Sequence, residues 1–303
     1  MKKIENKHSS ECTLQSKNFK FLIFNNSTRF SMRLQEEVRK CVAFICFPKT
    51  LINGTKDVSV MGTGFFASIP SKYNSERNYL YLVTAKHIAN KLTNKPFSVR
   101  LNNKKGSCDY LNVVDRAQWF YHPSDESVDV AVLPCAPSLE YDLKSVSSIN
   151  FLTDEDIKQN KIGLGDEVFI TGLFAHAYGS QKNQPIIRTG NIAMIPDEPL
   201  ATETGNIEAY LIEARSIGGL SGSPAFVFES NSIGMPRKFY LLGLMHGHWE
   251  ILPDLKNDSF MAEEMFGKVN MGIAVVVPAK KILEVLNHPI LSEDRGKEKK
   301  LKN

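Results

Sequence analysis

The chain has 303 residues, 42% of them apolar and 23% charged, a globular balance that excludes a wholly disordered chain. Its 37 basic and 33 acidic side chains leave a net +4, too small and too scattered an excess to point to nucleic acid. No apolar run approaches the roughly 18 residues needed to span a bilayer, so a membrane-spanning chain is excluded.

The opening stretch, MKKIENKHSSECTLQ, carries lysines but no apolar segment behind them, so no signal peptide is expected and the predicted location is cytoplasmic. Residues 1–36 read as an N-terminal extension, with a short helix allowed at 33–40. From there the chain reads as short strands broken by turn signals, at 41–47, 59–68, 79–84, 97–101, 128–134, 167–171, 187–194, 208–214, 224–228, 239–246 and 271–277. They are rich in Val, Ile, Phe and Tyr, which suit a pleated, half-buried surface. Helical pattern is confined to 85–91, 153–159 and 278–286. In the last, Pro278 opens the first turn and Ile282, Val285 and Leu286 share one face.

A linker at 137–159 divides the strands into about five before it and six after. The prediction is an all-β fold of two antiparallel, six-stranded-type barrels, one at 37–136 and one at 160–278. A C-terminal helix at 279–291 and a charged, solvated tail at 292–303 follow. The five cysteines (Cys12, Cys41, Cys46, Cys108 and Cys135) are odd in number with no CxxC pair, so free structural thiols are expected.

Three strings carry the chemistry. Tyr81-Leu-Val-Thr-Ala-Lys-His87-Ile is a strand running into a helical turn with a histidine at the junction. Ser127-Val-Asp129-Val-Ala-Val-Leu-Pro134 is an apolar strand with an acid at its start. Ser216-Ile-Gly-Gly-Leu-Ser221-Gly-Ser-Pro is a glycine-rich turn holding a serine ahead of a strand. Singly, each string has a bland explanation: a histidine at a strand end, an aspartate punctuating a turn, a chance Gly-x-Ser-Gly. Together they supply what acyl transfer needs. A serine hydroxyl requires an imidazole to take its proton, and a buried carboxylate fixes the tautomer of that imidazole. Backbone N–H groups around a tight glycine turn can hold the oxyanion.

These strings resemble those of the chymotrypsin-like serine peptidases, which carry Thr-Ala-x-His, Asp-φ-Ala-φ-Leu and Gly-x-Ser-Gly-x-Pro segments in this order. Gly62-Thr-Gly-Phe-Phe66, Trp119-Phe-Tyr-His-Pro123, Gly165-Asp-Glu-Val-Phe-Ile-Thr-Gly172, Leu241-Leu-Gly-Leu-Met-His-Gly247 and 271–278 extend the likeness to bacterial trypsin-like members. The resemblance implies His87 as base, Asp129 as its orienter and Ser221 as nucleophile, with the N–H groups of Gly219 and Ser221 as oxyanion hole. It implies a serine endopeptidase acting on a protein or peptide without cofactor or metal. A regulatory partner, a triad-based esterase or acyl transferase, and a peptidase-fold interaction scaffold stay open.

Leu220 stands where zymogen-type members carry an acid, so activation by a new amino terminus is not expected. The Gly-Gly-Leu-Ser-Gly-Ser-Pro form is similar to the glutamyl-endopeptidase branch. That likeness implies a primary pocket lined by Arg215 and Ser216 on one wall and His246 and His248 on the other, with Gly272 behind. Such a pocket favours an acidic residue at the cleaved position, and a small neutral pocket is the alternative. The branch's histidine falls one place earlier relative to Gly243 than His246 does. His246 and His248, two apart on a strand, have no third ligand nearby in sequence, so no zinc site is expected.

Overall fold

The computed structural model describes residues 16–17, 36–50, 56–113, 117–159, 161–202, 205–214, 219–229, 238–251 and 269–297. The N-terminal extension lies largely outside the described residues, as do Arg215 and Ser216.

In chain order, the first unit contains β1 (Ser16–Lys17), a 3-10 turn (Glu36–Cys41), β2 (Val42–Thr50), β3 (Lys56–Pro70), β4 (Asn78–Thr84), α1 (Lys86–Leu92), β5 (Phe97–Asn102), β6 (Cys108–Val113), β7 (Ala131–Pro134) and β8 (Val146–Ser147). Its sheet runs β1-β4-β3-β2-β5-β6, with β7 pairing to β4 and β8 lying parallel to β3. Among the described residues, β1 from the N-terminal extension and β8 from the linker add to the six strands of the expected barrel range. β6 carries little strand pattern in its sequence, because Asp109, Tyr110 and Asn112 face solvent and leave only Leu111 and Val113 buried.

The second unit contains β9 (Glu167–Gly172), β10 (Ile186–Met194), a small ladder of β11 (Leu200–Thr202) with β12 (Gly205–Ile207), β13 (Tyr210–Glu213), β14 (Pro224–Phe228), β15 (Phe239–Ile251) and β16 (Val269–Pro278). Six of these close a barrel in the order β10-β13-β16-β15-β14-β9. Strand alternation sorts its side chains between two cores. Val168, Ile170, Ala225, Val227, Ala274 and Val276 fill the barrel interior. Their neighbours Phe169, Phe226 and Val277 instead join a larger cluster continuous with the first sheet. The all-β, two-unit architecture is therefore as expected.

The expected linker contains β8 and α2 (Asp154–Lys158), where Thr153 and Asp156 form a capping box. It touches both units: Val146 pairs with Ala67 of β3, and Leu152 N–H donates to Leu241 O at 2.9 Å. At the C-terminus, α3 (Ala279–Leu286) is followed by a second helix, α4 (Pro289–Gly296), where one helix to 291 and a solvated tail were expected. Pro289 at the first turn and the His288 ring, which accepts from Ile290 N–H at 3.3 Å, restart the helix. Leu291 is buried, and Arg295 donates to the Tyr81 hydroxyl at 2.8 Å and to Leu286 O at 2.7 Å.

A buried cation joins the two units. Arg100 of β5 is 1% exposed and donates to Asn183 Oδ1 at 2.8 Å, Gly179 O at 2.7 Å and Ser180 O at 2.9 Å. Its guanidinium lies 5.4 Å from the Tyr178 ring centroid. Asn183 donates its side-chain amide to Arg100 O at 2.7 Å and its backbone N–H to Asn102 Oδ1 at 2.7 Å. The loop between β9 and β10 is thereby stitched to the first sheet.

Candidate active site

Strand β4 is buried along its whole length and ends at Thr84, and Ala85 opens α1. Ile88, Ala89 and Leu92 take the buried face of this short helix, which leaves His87 at the surface with its side chain 38% exposed. Asp129 sits between the buried Val128 and Val130, just before β7, and its side chain is 11% exposed. Asp129 Oδ1 accepts the backbone N–H of His87 at 2.8 Å, and Oδ2 lies 2.8 Å from His87 Nδ1. An ionised carboxylate can only accept, so His87 carries its hydrogen on Nδ1 and keeps Nε2 as a base. Burial works to raise the Asp129 pKa, but the bonds from His246 and His87 outweigh it and hold the group at about 2.

The serine turn leans on the first sheet. Thr63 N–H donates to Ser221 O at 3.1 Å, and the Thr63 hydroxyl donates to Gly219 O at 2.8 Å while accepting from Leu173 N–H at 2.9 Å. Within the turn, Ser223 N–H returns to Leu220 O at 2.9 Å and Gly222 N–H reaches Met245 O at 2.8 Å. Among the described residues, the N–H groups of Gly219 and Ser221 donate to nothing, as an oxyanion hole requires. Gly222 has φ +83°, and a Cβ there would lie 2.1 Å from Thr63 O and 2.5 Å from Thr84 Oγ1. Gly62 leaves room for helix α1 and the serine turn: a Cβ on it would meet Ile88 Cδ1 at 2.4 Å and Ser221 O at 3.5 Å. Leu220, in place of an acid, is 1% exposed and belongs to the core of the second barrel.

The proposed pocket residues divide. Arg215 and Ser216 lie outside the described residues, but Ala214 before them donates to Gly272 O at 2.9 Å. Gly272 lies in β16 with φ +77° and open space where a Cβ would stand. His248 lies on β15 opposite Ala274 and is half-buried. His246, expected only as a residue of the pocket wall, also places its Nδ1 2.5 Å from Asp129 Oδ2. The cause is a β-bulge: Met245 pairs with Val276 and Gly247 with Val275, so His246 is an extra residue in the ladder. The sequence signal was the one-place offset of this histidine from the pattern of the glutamyl-endopeptidase branch.

His87, Asp129 and His246 bring three ligand-type atoms within 4.8 Å of one another. At 2.5 and 2.8 Å they are already hydrogen-bonded. A zinc ion, which needs each ligand at about 2.0–2.3 Å, would have to spread them apart. The arrangement fits proton handling around a carboxylate better than metal binding.

No family model matches the chain, and no curated protein matches it by sequence. Among solved structures it is similar to the MamO protease domain from Magnetospirillum magneticum, at 17% identity and a TM-score of 0.51, over 82% of this chain and 97% of that one. It is also similar to the HtrA-type protease AlgW with a decapeptide, at 17% identity and a TM-score of 0.48, over 82% and 64% of the two chains. A third likeness is to an inactive mutant form of Rv3671c from M. tuberculosis H37Rv, at 17% identity and a TM-score of 0.45, over 86% and 94%. At this identity the likeness is one of architecture, and the chain has the chymotrypsin-like double-barrel fold found in the MamO protease domain.

Proposed function

We propose that the chain is a serine endopeptidase working through Ser221, His87 and Asp129. The observation that carries the reading is the double attachment of His87 to Asp129, by ring and by backbone, beside a serine turn anchored on Thr63. Ser221 Oγ attacks the carbonyl carbon of the scissile peptide and passes its proton to His87 Nε2. Asp129 stabilises the imidazolium, and the N–H groups of Gly219 and Ser221 hold the oxyanion. Collapse of the tetrahedral adduct breaks the C–N bond, and His87 gives its proton to the departing amine. Water then repeats the sequence on the acyl-serine and frees the carboxylate product.

The same reading gives the pocket a preference for Glu or Asp at the cleaved residue, through Arg215, Ser216 and His248 beside Gly272. Charge-assisted hydrogen bonds to a substrate carboxylate are roughly twice as strong as neutral ones. With Nδ1 of His246 engaged on Asp129, that residue contributes at most its Nε2.

Fluorophosphonate labelling located by mass spectrometry tests the chemistry. Ser221 is the expected site, and Ser221→Ala and His87→Ala each lower peptide cleavage on the order of 10³-fold or more. Unchanged cleavage by purified Ser221→Ala removes the reading. A peptide library cut mainly after Lys, Arg or large apolar residues removes the acidic preference alone.

A further inference from the structure

His246 reaches the first unit from β15 only because the bulge takes it out of the alternation of its strand. Its Nδ1 lies 2.5 Å from Asp129 Oδ2, the same oxygen that lies 2.8 Å from His87 Nδ1. The two rings meet edge to face, with centroids 5.7 Å apart and planes at 87°. Both imidazoles must donate, since the carboxylate has no hydrogen to give. With Oδ1 held by the His87 N–H and Oδ2 held by two rings, the carboxylate has no free rotation left.

We propose that His246 is a positioning residue: its Nδ1–H fixes the carboxylate that orients His87, and it must be uncharged for His87 to take the serine proton. This rests on the peptidase reading above. One carboxylate balances one imidazolium. When His87 accepts the Ser221 proton, the Asp129–His87 pair becomes neutral in sum. A proton already on His246 would leave a second cation against the same, nearly buried oxygen.

Among the described residues, the ionisable groups facing His246 are Asp129 and His87 from the first unit. On the second barrel, β16 presents Val275 and Val276 opposite the bulge, and β14 and the turn 219–223 hold no acid or base. His248 lies two positions along the same strand. Lys86, beside His87, sends its ammonium away to Glu126 O at 2.9 Å.

The test compares His246→Ala with His246→Asn, whose amide N–H can stand where the ring Nδ1–H stood. At the pH optimum the Ala variant is expected to lose kcat/KM on the order of tenfold, and the Asn variant to recover most of it. In the wild type, log kcat/KM steepens toward a slope of two on the acid side, because a proton on either imidazole stops the reaction. In His246→Asn the slope does not exceed one. Proton NMR of the inactive Ser221→Ala chain adds a readout free of turnover: two downfield Nδ1–H resonances, of which the further His246→Asn change removes one. An Asn variant no better than Ala, an acid slope of one in the wild type, or a single downfield resonance overturns the inference while labelling of Ser221 still stands. A chain whose Ser221 never labels overturns the peptidase reading, and the positioning role with it.

Discussion

The hydroxyl of Thr63 donates to the carbonyl of Gly219 across 2.8 Å, joining two residues 156 positions apart. The same oxygen accepts Leu173 N–H, so one side chain fixes both the serine turn and the end of β9. Thr63→Val keeps the shape and removes both bonds. It leaves a half-buried carbonyl and a buried N–H without this partner, at a cost of about 1–3 kcal/mol for the buried group. The expected outcome is a lower urea midpoint together with slower fluorophosphonate labelling. A variant that unfolds earlier but labels at the wild-type rate would show that the turn does not depend on this bond.

Two glycines with nearly the same φ make a matched pair. Gly222 (φ +83°) would place a Cβ against Thr63 O, whereas Gly106 (φ +87°) has nothing within 4 Å. Gly106→Ala is expected to cost only backbone strain, about 1–2 kcal/mol. Gly222→Ala adds an overlap with backbone that cannot move without separating the serine turn from β3, about 1–3 kcal/mol more. Urea unfolding of the two variants measures the difference, and equal losses would contradict the close packing at Gly222.

Leu220 fills the second-barrel core directly ahead of Ser221. Leu220→Ala opens a cavity there, and the expected loss is about 2–5 kcal/mol. Because the turn is held by this packing, uncut full-length chain is expected to label at Ser221. Labelling that appears only after proteolytic trimming would contradict that expectation.

Acid titration bears on Asp129. Its folded pKa of about 2 lies below the ordinary aspartate value of about 3.9. A depressed carboxylate pKa means that the native state binds fewer protons, so the group adds stability above pH of about 3.9. That contribution, on the order of 2 kcal/mol, fades as the pH falls toward 2. Asp129→Asn lacks it, so the stability gap between wild type and variant is expected to shrink over that window. A gap that stays constant from pH 5 to pH 2 would show that the carboxylate gains nothing from its two imidazoles.

The sequence made the strands legible where both alternation and composition were strong. β4 with its seven buried residues and β14 with its Pro-Ala-Phe-Val-Phe run are examples. β6 was not legible, because an edge strand with Asp109 and Asn112 outward carries too few apolar positions to register. The approach of His87 to Asp129 followed from motif order, since each residue stands at a strand junction. The meeting of His246 with Asp129 did not follow. A strict two-residue period puts His246 and His248 on one face, and only the inserted residue at the bulge breaks that period. No local propensity reports such an insertion, which shows only in the pairing of β15 with β16.

The clamp at Arg100 sets how the two halves of the molecule respond to their surroundings. Among the described residues its partners are all neutral: an amide oxygen, two carbonyls and an aromatic face. A guanidinium keeps its charge at any pH a protein survives, and carbonyl dipoles have no proton to gain. Neither acid nor moderate ionic strength should loosen this fastening, unlike a surface ion pair. Ser221 and His87 belong to opposite halves, so how those halves are fastened is insulated from pH and ionic strength. Mechanical registration and chemical readiness are thereby placed under separate control.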